Sequence, residues 1–215
     1  MNKEQIINKL LKLKDKEVIA IIDEGRARKR EERGIIRGIY DRVFTIEINN
    51  VLTIVSGPKG RMENISYNNN NIIIDYAHTP DGLKNILSTF RDCKKNRVIA
   101  LFGCGGDRDK TKRAVMGNIA VRYADYVIVT SDNPRSEDPM SIINDILVGT
   151  EGINTPVKVI ENRIEAIKYA VSIAKKDDII VLAGKGHETY QILKDATIHL
   201  DEREVVAQAL SELQQ

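Results

Sequence analysis

The chain has 215 residues, 42% hydrophobic and 30% charged, a composition that fits one sizeable globular domain with an appendage. Its formal net charge of +2 is too small to argue for nucleic acid, and its two cysteines, Cys93 and Cys104, are too few for a disulfide framework. No apolar run approaches the roughly 20 residues of a membrane span, and the first 13 residues lack the apolar core and cleavage site of a secretory signal, so a cytoplasmic location is expected.

In chain order, Ile6, Leu10, Leu11 and Leu13 suggest a short helix, Val18 to Ile22 a strand and Val43 to Ile48 another. The first 50 residues carry 12 Lys and Arg against 9 Asp and Glu, so the basic excess is local to them. It is densest from Arg26 to Arg37, which suits a grip on phosphates, a solvated helix face or a partner-docking surface. No aromatic residues are interleaved there for base stacking, so nucleic acid is not the expected partner. The asparagine tract at 68–71 reads as a loop.

From Ile72 onward, short β-branched runs (Ile72 to Asp75, Val98 to Phe102, Tyr126 to Thr130, Val157 to Ile160, Ile179 to Ala183) alternate with apolar residues at helical spacing. Leu83, Ile86, Leu87 and Phe90 form one helical face, and Met116, Ile119, Ala120 and Tyr123 a second. Ile142, Ile143, Ile146 and Leu147 form a third, and Ile164, Ile167, Ala170, Val171 and Ala174 a fourth. Tyr190 to Leu193 and Thr197 to Leu200 read as a hairpin, after which Asp201 caps a terminal helix with Glu204 three residues on. The predicted class is α/β: a Rossmann-like, mostly parallel sheet with helices on both faces and a C-terminal hairpin, plus a small N-terminal α+β appendage. The expected division is residues 1–55, a basic segment of unassigned role, and 56–215.

Four of the five predicted strands empty into polar loops, and parallel strands bring such loops to one edge. The loops are Asp75 to Asp81, Gly103 to Lys110, Ser131 to Pro139 and Gly184 to Glu188. The Asp132-Asn133-Pro134-Arg135 run also fits an ordinary turn. A guanidinium on a proline-stiffened loop nevertheless suits a carboxylate, since its planar donors make two parallel bonds. The glycines at 103, 105 and 106 allow backbone N–H groups to approach an anion, yet nothing has Walker spacing. Cys104 is either a reactive thiol or a small residue packed under the turn. Arg108, Lys110 and Lys185 would meet phosphates or carboxylates, or else remain surface charges. Two of the three histidines, His78 and His187, fall in these loops without a metal-ligand spacing. Glu188 reads as an acceptor for an ammonium; with Arg108 and Arg135 it would offer cations to carboxylates and an anion to an amine, as an amino acid requires.

Five words stand in register: Gly60-Arg61-Met62-Glu63, Asp75-Tyr76-Ala77-His78-Thr79-Pro80-Asp81, Phe102 to Lys110, Thr130 to Pro139 and Gly184 to Glu188. Together, over about residues 55 to 215, they resemble the carboxy-terminal domain of the Mur ligases, most closely the tripeptide-synthetase (MurE) branch. The resemblance implies peptidoglycan synthesis by an ATP-dependent ligase. ATP phosphorylates a carboxylate of the UDP-MurNAc-dipeptide, and an incoming amine attacks the acyl phosphate. By that resemblance Arg108, Asp132, Asn133, Arg135, Gly184 and Glu188 hold the amino acid, and Arg61, His78 and Lys110 face the nucleotide. The Asp-Asn-Pro-Arg word looks like the version selecting meso-diaminopimelate, whose distal carboxylate Arg135 would clasp and which lysine lacks.

The departures are a missing P-loop, a missing lysine segment for a carbamylated metal bridge, and Ala114 where the family carries proline. ATP and Mg are therefore expected only in a complete ligase, and the chain alone is expected to be inactive. The other class of reading is a non-catalytic, stand-alone module that binds a cell-wall amino acid or nucleotide.

Overall fold

The computed structural model describes residues 9–23, 29–39, 44–48, 51–55, 60–67 and 70–213. They belong to two compact units, residues 1–57 and 58–215.

In the first unit, residues 9–11 are helical and a four-stranded antiparallel meander follows. Its strands are β1 (Glu17–Asp23), β2 (Lys29–Ile39), β3 (Phe44–Ile48) and β4 (Val51–Val55). The basic run is thus a strand from Lys29 on and not a helix face, while Arg26 and Arg28, like Ile6 and Val43, lie outside the described residues. The reason is pairing: Ile21 stands opposite Glu31 and Ile19 opposite Arg33, so the apolar β1 recruits a charged partner. Within β2, Glu31 and Arg33 are exposed while Gly34 and Ile36 are buried.

The second unit is built on a six-stranded sheet in the order β5-β6-β10-β7-β8-β9. Its members are β5 (Glu63–Tyr67), β6 (Asn70–Asp75), β7 (Val98–Phe102), β8 (Tyr126–Val129), β9 (Val157–Val159) and β10 (Ile179–Ala183). Only β5 runs antiparallel. The last parallel strand, β10, lies between the first two, with Ile180 opposite both Ile72 and Ile99. The hairpin β11 (Tyr190–Ile192) and β12 (Thr197–His199) forms a separate two-stranded sheet.

Five helices cover the six-stranded sheet: α1 (Pro80–Cys93), α2 (Thr111–Tyr123), α3 (Pro139–Leu147), α4 (Arg163–Ser172) and α5 (Glu202–Glu212). Because side chains alternate along a strand, Ile72, Ile74, Ile99, Leu101, Ile128, Ile180 and Leu182 share one face. They pack there on Ala166, Ile167, Ala170 and Val171 of α4 and Val205, Val206 and Ala209 of α5. The alternate residues, including Ile73, Ala100, Phe102, Val127 and Val181, are equally buried on the face of α1 to α3. Each fully buried Leu or Ile contributes about 1.5–3 kcal/mol, so strands buried on both faces carry most of the cohesion.

Side-chain caps fix where four helices start. Thr79, Asp138, Asn162 and Asp201 accept from the first-turn amides of α1, α3, α4 and α5. Asp201 accepts from Arg203 N, but Glu204 does not complete a capping box, because its carboxylate meets His199 Nε2 at 2.7 Å. Helix α2 starts at Thr111 with Ala114 in its first turn, held by Asp109 Oδ1, which accepts from Thr111 N at 2.9 Å and from its hydroxyl at 2.6 Å.

Candidate active site

The carboxyl ends of β6, β7, β8 and β10 release their loops on one edge of the sheet, and two glycines show how tightly those loops meet. A Cβ on Gly106 would fall 1.9 Å from Pro134 O, so only glycine lets the β7 loop pass under the β8 loop. Gly186, at φ +54°, would bring a Cβ within 2.5 Å of Gly60 O, which locks the Gly60-Arg61 turn against the β10 loop. Beneath them the fully buried Arg163 pairs with Glu202 Oε1 at 2.8 Å and donates to Ala183 O, tying the end of β10 to α5. Among the described residues Glu202 Oε2 has no hydrogen-bond partner.

The cationic side of the edge is formed by Arg108 and Arg135. Exposed Arg108 donates Nη1 to Asp107 O at 3.1 Å; half-buried Arg135 donates Nη1 to Gly106 O at 2.9 Å and to Asn133 O at 3.3 Å. Both guanidiniums thus meet carbonyls, and neither meets a carboxylate among the described residues. Their loops are cross-tied. Asp107 N donates to Glu137 Oε1 at 2.7 Å, and Ser136 Oγ donates to Asp107 Oδ1 at 2.6 Å. Buried Arg113 grips Glu137 through both terminal nitrogens at 3.0 and 2.9 Å. That guanidinium, with the Asp107 amide, pulls the Glu137 carboxyl down to about 2. The Ser136 hydroxyl likewise lowers Asp107.

The anionic side is Asp132 and Glu188, and here Lys185, expected to meet phosphates or carboxylates or else to remain a surface charge, meets the chain's own carboxylates. It is fully buried, its Nζ donating to Asn133 Oδ1 at 2.9 Å, Tyr190 O at 2.8 Å and Glu188 Oε2 at 3.3 Å. Asp132 Oδ1 lies 3.4 Å away, a charge contact without hydrogen-bond geometry. Asn133 is fully used: Oδ1 also accepts from Ile192 N at 2.9 Å, and Nδ2 donates to Glu188 Oε2 at 3.1 Å. Both bonds to Glu188 fall on Oε2. One cation against two carboxylates leaves this corner net negative, as an ammonium ligand requires, while the arginine pair across from it suits a carboxylate. Gly184, at φ +120°, passes so close to Asp132 that a Cβ there would lie 3.0 Å from its Oδ2, and so floors the same corner.

A third group gathers on Tyr76, which the sequence reading passed over. Its ring meets His78 edge-on at 4.6 Å and His187 tilted at 5.1 Å, and the Arg61 guanidinium lies 5.9 Å from its centroid. Burial, then the nearby Glu188 carboxylate, raises the Tyr76 hydroxyl pKa. His78 Nδ1 lies 2.8 Å from Tyr76 O. Two residues assigned to a nucleotide, Arg61 and His78, thus share one ring. Lys110 stands elsewhere, its ammonium 3.1 Å from Glu137 Oε2; the lysine that reaches the His78 loop is Lys112, donating to His78 O at 2.9 Å. Sequence signals existed for both misses, since Tyr76 lies inside the Asp75 to Asp81 word and Lys112 opens the helix after the glycine loop.

Cys104 is buried beside Met116 Sδ at 3.7 Å, and burial pushes its thiol up to about 12, which makes it a packing residue. Among the described residues no three His, Cys, Asp or Glu side chains gather to hold a metal.

Comparison with known proteins places the chain among similar sequences and structures. Residues 60–186 match the family described as Mur ligase, glutamate ligase domain. A UDP-N-acetylmuramoyl-L-alanyl-D-glutamate--2,6-diaminopimelate ligase of Clostridium botulinum is 47% identical over 203 residues, covering 93% of this chain and 42% of that protein. One from Clostridium acetobutylicum is 50% identical over 184 residues, covering 84% and 38%. The chain therefore spans about two fifths of the length of the curated relatives it matches. The first of these matches is longer than the second unit, so the likeness reaches into residues 1–57, which the sequence reading could not place. A solved structure of a ligase of the same description superposes with TM-score 0.70 at 30% identity, over 93% of this chain and 46% of that one. A murein peptide ligase of Psychrobacter arcticus, at 16% identity and TM-score 0.51 over 84% of this chain and 44% of that one, shares the fold.

Proposed function

Given that the chain belongs to the Mur ligase family, we propose that it is the amino-acid-binding part of an ATP-dependent amide ligase that adds meso-diaminopimelate to UDP-MurNAc-dipeptide. The observation that carries this is the split polarity of one sheet edge, with two arginines that among the described residues meet only carbonyls, beside a net-negative corner. In this reading Arg135 and Arg108 clasp the distal carboxylate of diaminopimelate. Glu188, with Oε1 turned away from Lys185 and Asn133, takes its ammonium. Asp132, Asn133 and Gly184 shape the corner between them. A charge-assisted bond of this kind contributes about 1.5–3 kcal/mol, enough to separate diaminopimelate from lysine by at least tenfold.

Arg61 and His78, gathered on Tyr76, would face the nucleotide, with Lys110 at the margin. ATP and Mg act in the transfer of a phosphoryl group to the peptide carboxylate, and the reading assigns them to a separate ATPase part. This chain's residues then hold the attacking amine in place, so their contribution is positioning and charge stabilisation. The reading places the work in the cytoplasm, and no helix among the described residues is long and apolar enough to cross a membrane.

The test is calorimetric titration of the purified chain with meso-diaminopimelate and with L-lysine, with Arg135→Ala as control. Preference for diaminopimelate that disappears in the variant is the expected result; equal or absent binding of both amino acids overturns it. Addition of a cognate ATPase domain then separates a ligase part, which gains turnover, from a stand-alone binder, which does not.

A further inference from the structure

Arg108 and Arg135 come from different loops, and each sits beside a residue that joins those loops. Asp107, at φ +53°, precedes Arg108; Arg135, itself at φ +54°, precedes Ser136 and Glu137. Neither left-handed residue is glycine, and such conformations persist only where their surroundings hold them. Here the hold is reciprocal. The Asp107 amide donates to Glu137 Oε1 at 2.7 Å, and the Asp107 carboxylate accepts from Ser136 Oγ at 2.6 Å and Ser136 N at 3.3 Å. Gly106 N donates to Asn133 O at 2.9 Å alongside. Behind them Arg113, 1% exposed, anchors Glu137 and also reaches Asp145 Oδ2 at 2.9 Å.

We propose that Asp107, Ser136 and Glu137 form a latch that sets the spacing of the Arg108 and Arg135 guanidiniums and thereby the selectivity of the site for a ligand with a distal carboxylate. They are positioning residues, since they act through the two arginines. Unlatched, the β7 loop is free to turn Arg108 outward, and a single remaining guanidinium binds a carboxylate without the geometric selection of a pair. The latch spends neither Arg108 nor Arg135 on itself: its charges are the Asp107 carboxylate, met by Ser136, and Glu137, met by Arg113 and Lys110. This inference rests on the amino-acid reading above.

Glu137→Gln would leave the buried Arg113 short of a charge and risks the fold, so the test uses the exposed members. The full 215-residue chain is titrated with meso-diaminopimelate and with L-lysine as wild type, Ser136→Ala, Asp107→Asn and Ser136→Thr, with melting temperatures measured in parallel. Ser136→Ala and Asp107→Asn are expected to weaken diaminopimelate about tenfold, leave lysine binding unchanged and melt within a few degrees of wild type. Ser136→Thr, which keeps the hydroxyl, restores the preference. Retained preference in Ser136→Ala overturns the latch while the amino-acid reading stands. Equal weakening of both ligands with a lowered melting temperature shows a merely structural tie and also overturns it. A wild type without preference removes the amino-acid reading and the latch together.

Discussion

The two ends of the parallel sheet treat their charges differently. At the amino end, fully buried Asp178 is saturated: it takes Arg97 Nη2 at 2.6 Å and the amides of Arg97 and Lys175 at 3.1 and 2.8 Å. Asp125 there likewise takes Lys94 at 2.6 Å and Val98 N at 2.8 Å. At the carboxyl end, Arg108 and Arg135 meet only carbonyls among the described residues, and the Asp132, Glu188 and Lys185 cluster keeps a net negative charge. A closed charge balance suits an end that only holds the fold together, and the open groups beside the Arg163–Glu202 and Arg113–Glu137 pairs suit, on the reading proposed above, a ligand.

The sharpest way to break this contrast is to cut one residue at each end. Asp178→Ala leaves Arg97 and two amides unmet and is expected to cost about 3 kcal/mol, read by guanidinium unfolding, with the diaminopimelate preference intact. Arg135→Ala is expected to do the reverse, with a stability change below about 1 kcal/mol and binding weakened at least tenfold in the calorimeter. If both variants lose stability and binding in proportion, the division of labour between the ends is wrong.

Acid sharpens it further. Glu137 lies at about 2 in the folded chain against an ordinary 4.5, so its contribution is present above 4.5 and fades as pH falls towards 2. The Asp107 amide, which donates to Glu137, should shift in NMR spectra as pH falls through about 2 and hold steady above 4.5. The smallest effect is expected at His199, whose raised pKa comes from its bond to Glu204. That tie is present below 6.5 and is lost as pH rises through the folded value. An NMR titration should place His199 above 6.5, and Glu204→Gln should return it there.

The alternation of β-branched runs with helical faces was legible because strands buried on both sides must be apolar throughout; Val98 to Phe102 and Ile179 to Ala183 come out at their predicted bounds. The order of the strands was not, since nothing in Ile179 to Ala183 says that it fits between β6 and β7. Nor was β5, where Ile65 is the one aliphatic residue among polar neighbours. The loop words placed Arg108, Asp132, Asn133, Arg135, Gly184 and Glu188 at one edge. What escaped was how they are supported: the Lys185 ammonium is buried by Asp132 and Asn133 of the β8 loop, Glu188 of its own loop and the Tyr190 carbonyl of β11, and Glu137 looks like turn filler until Arg113, a helix residue, reaches it.

The insertion of β10 between β6 and β7 also governs how the chain comes to be folded. Its central strand is the last parallel strand the ribosome releases, so the β6 and β7 edges that it pairs keep their backbone N–H and C=O groups unpaired until residues 179–183 emerge. Non-local pairing of this kind slows folding, and unfilled strand edges invite pairing with other chains. A nascent chain halted before Ile179 is therefore an aggregation hazard and not a smaller domain.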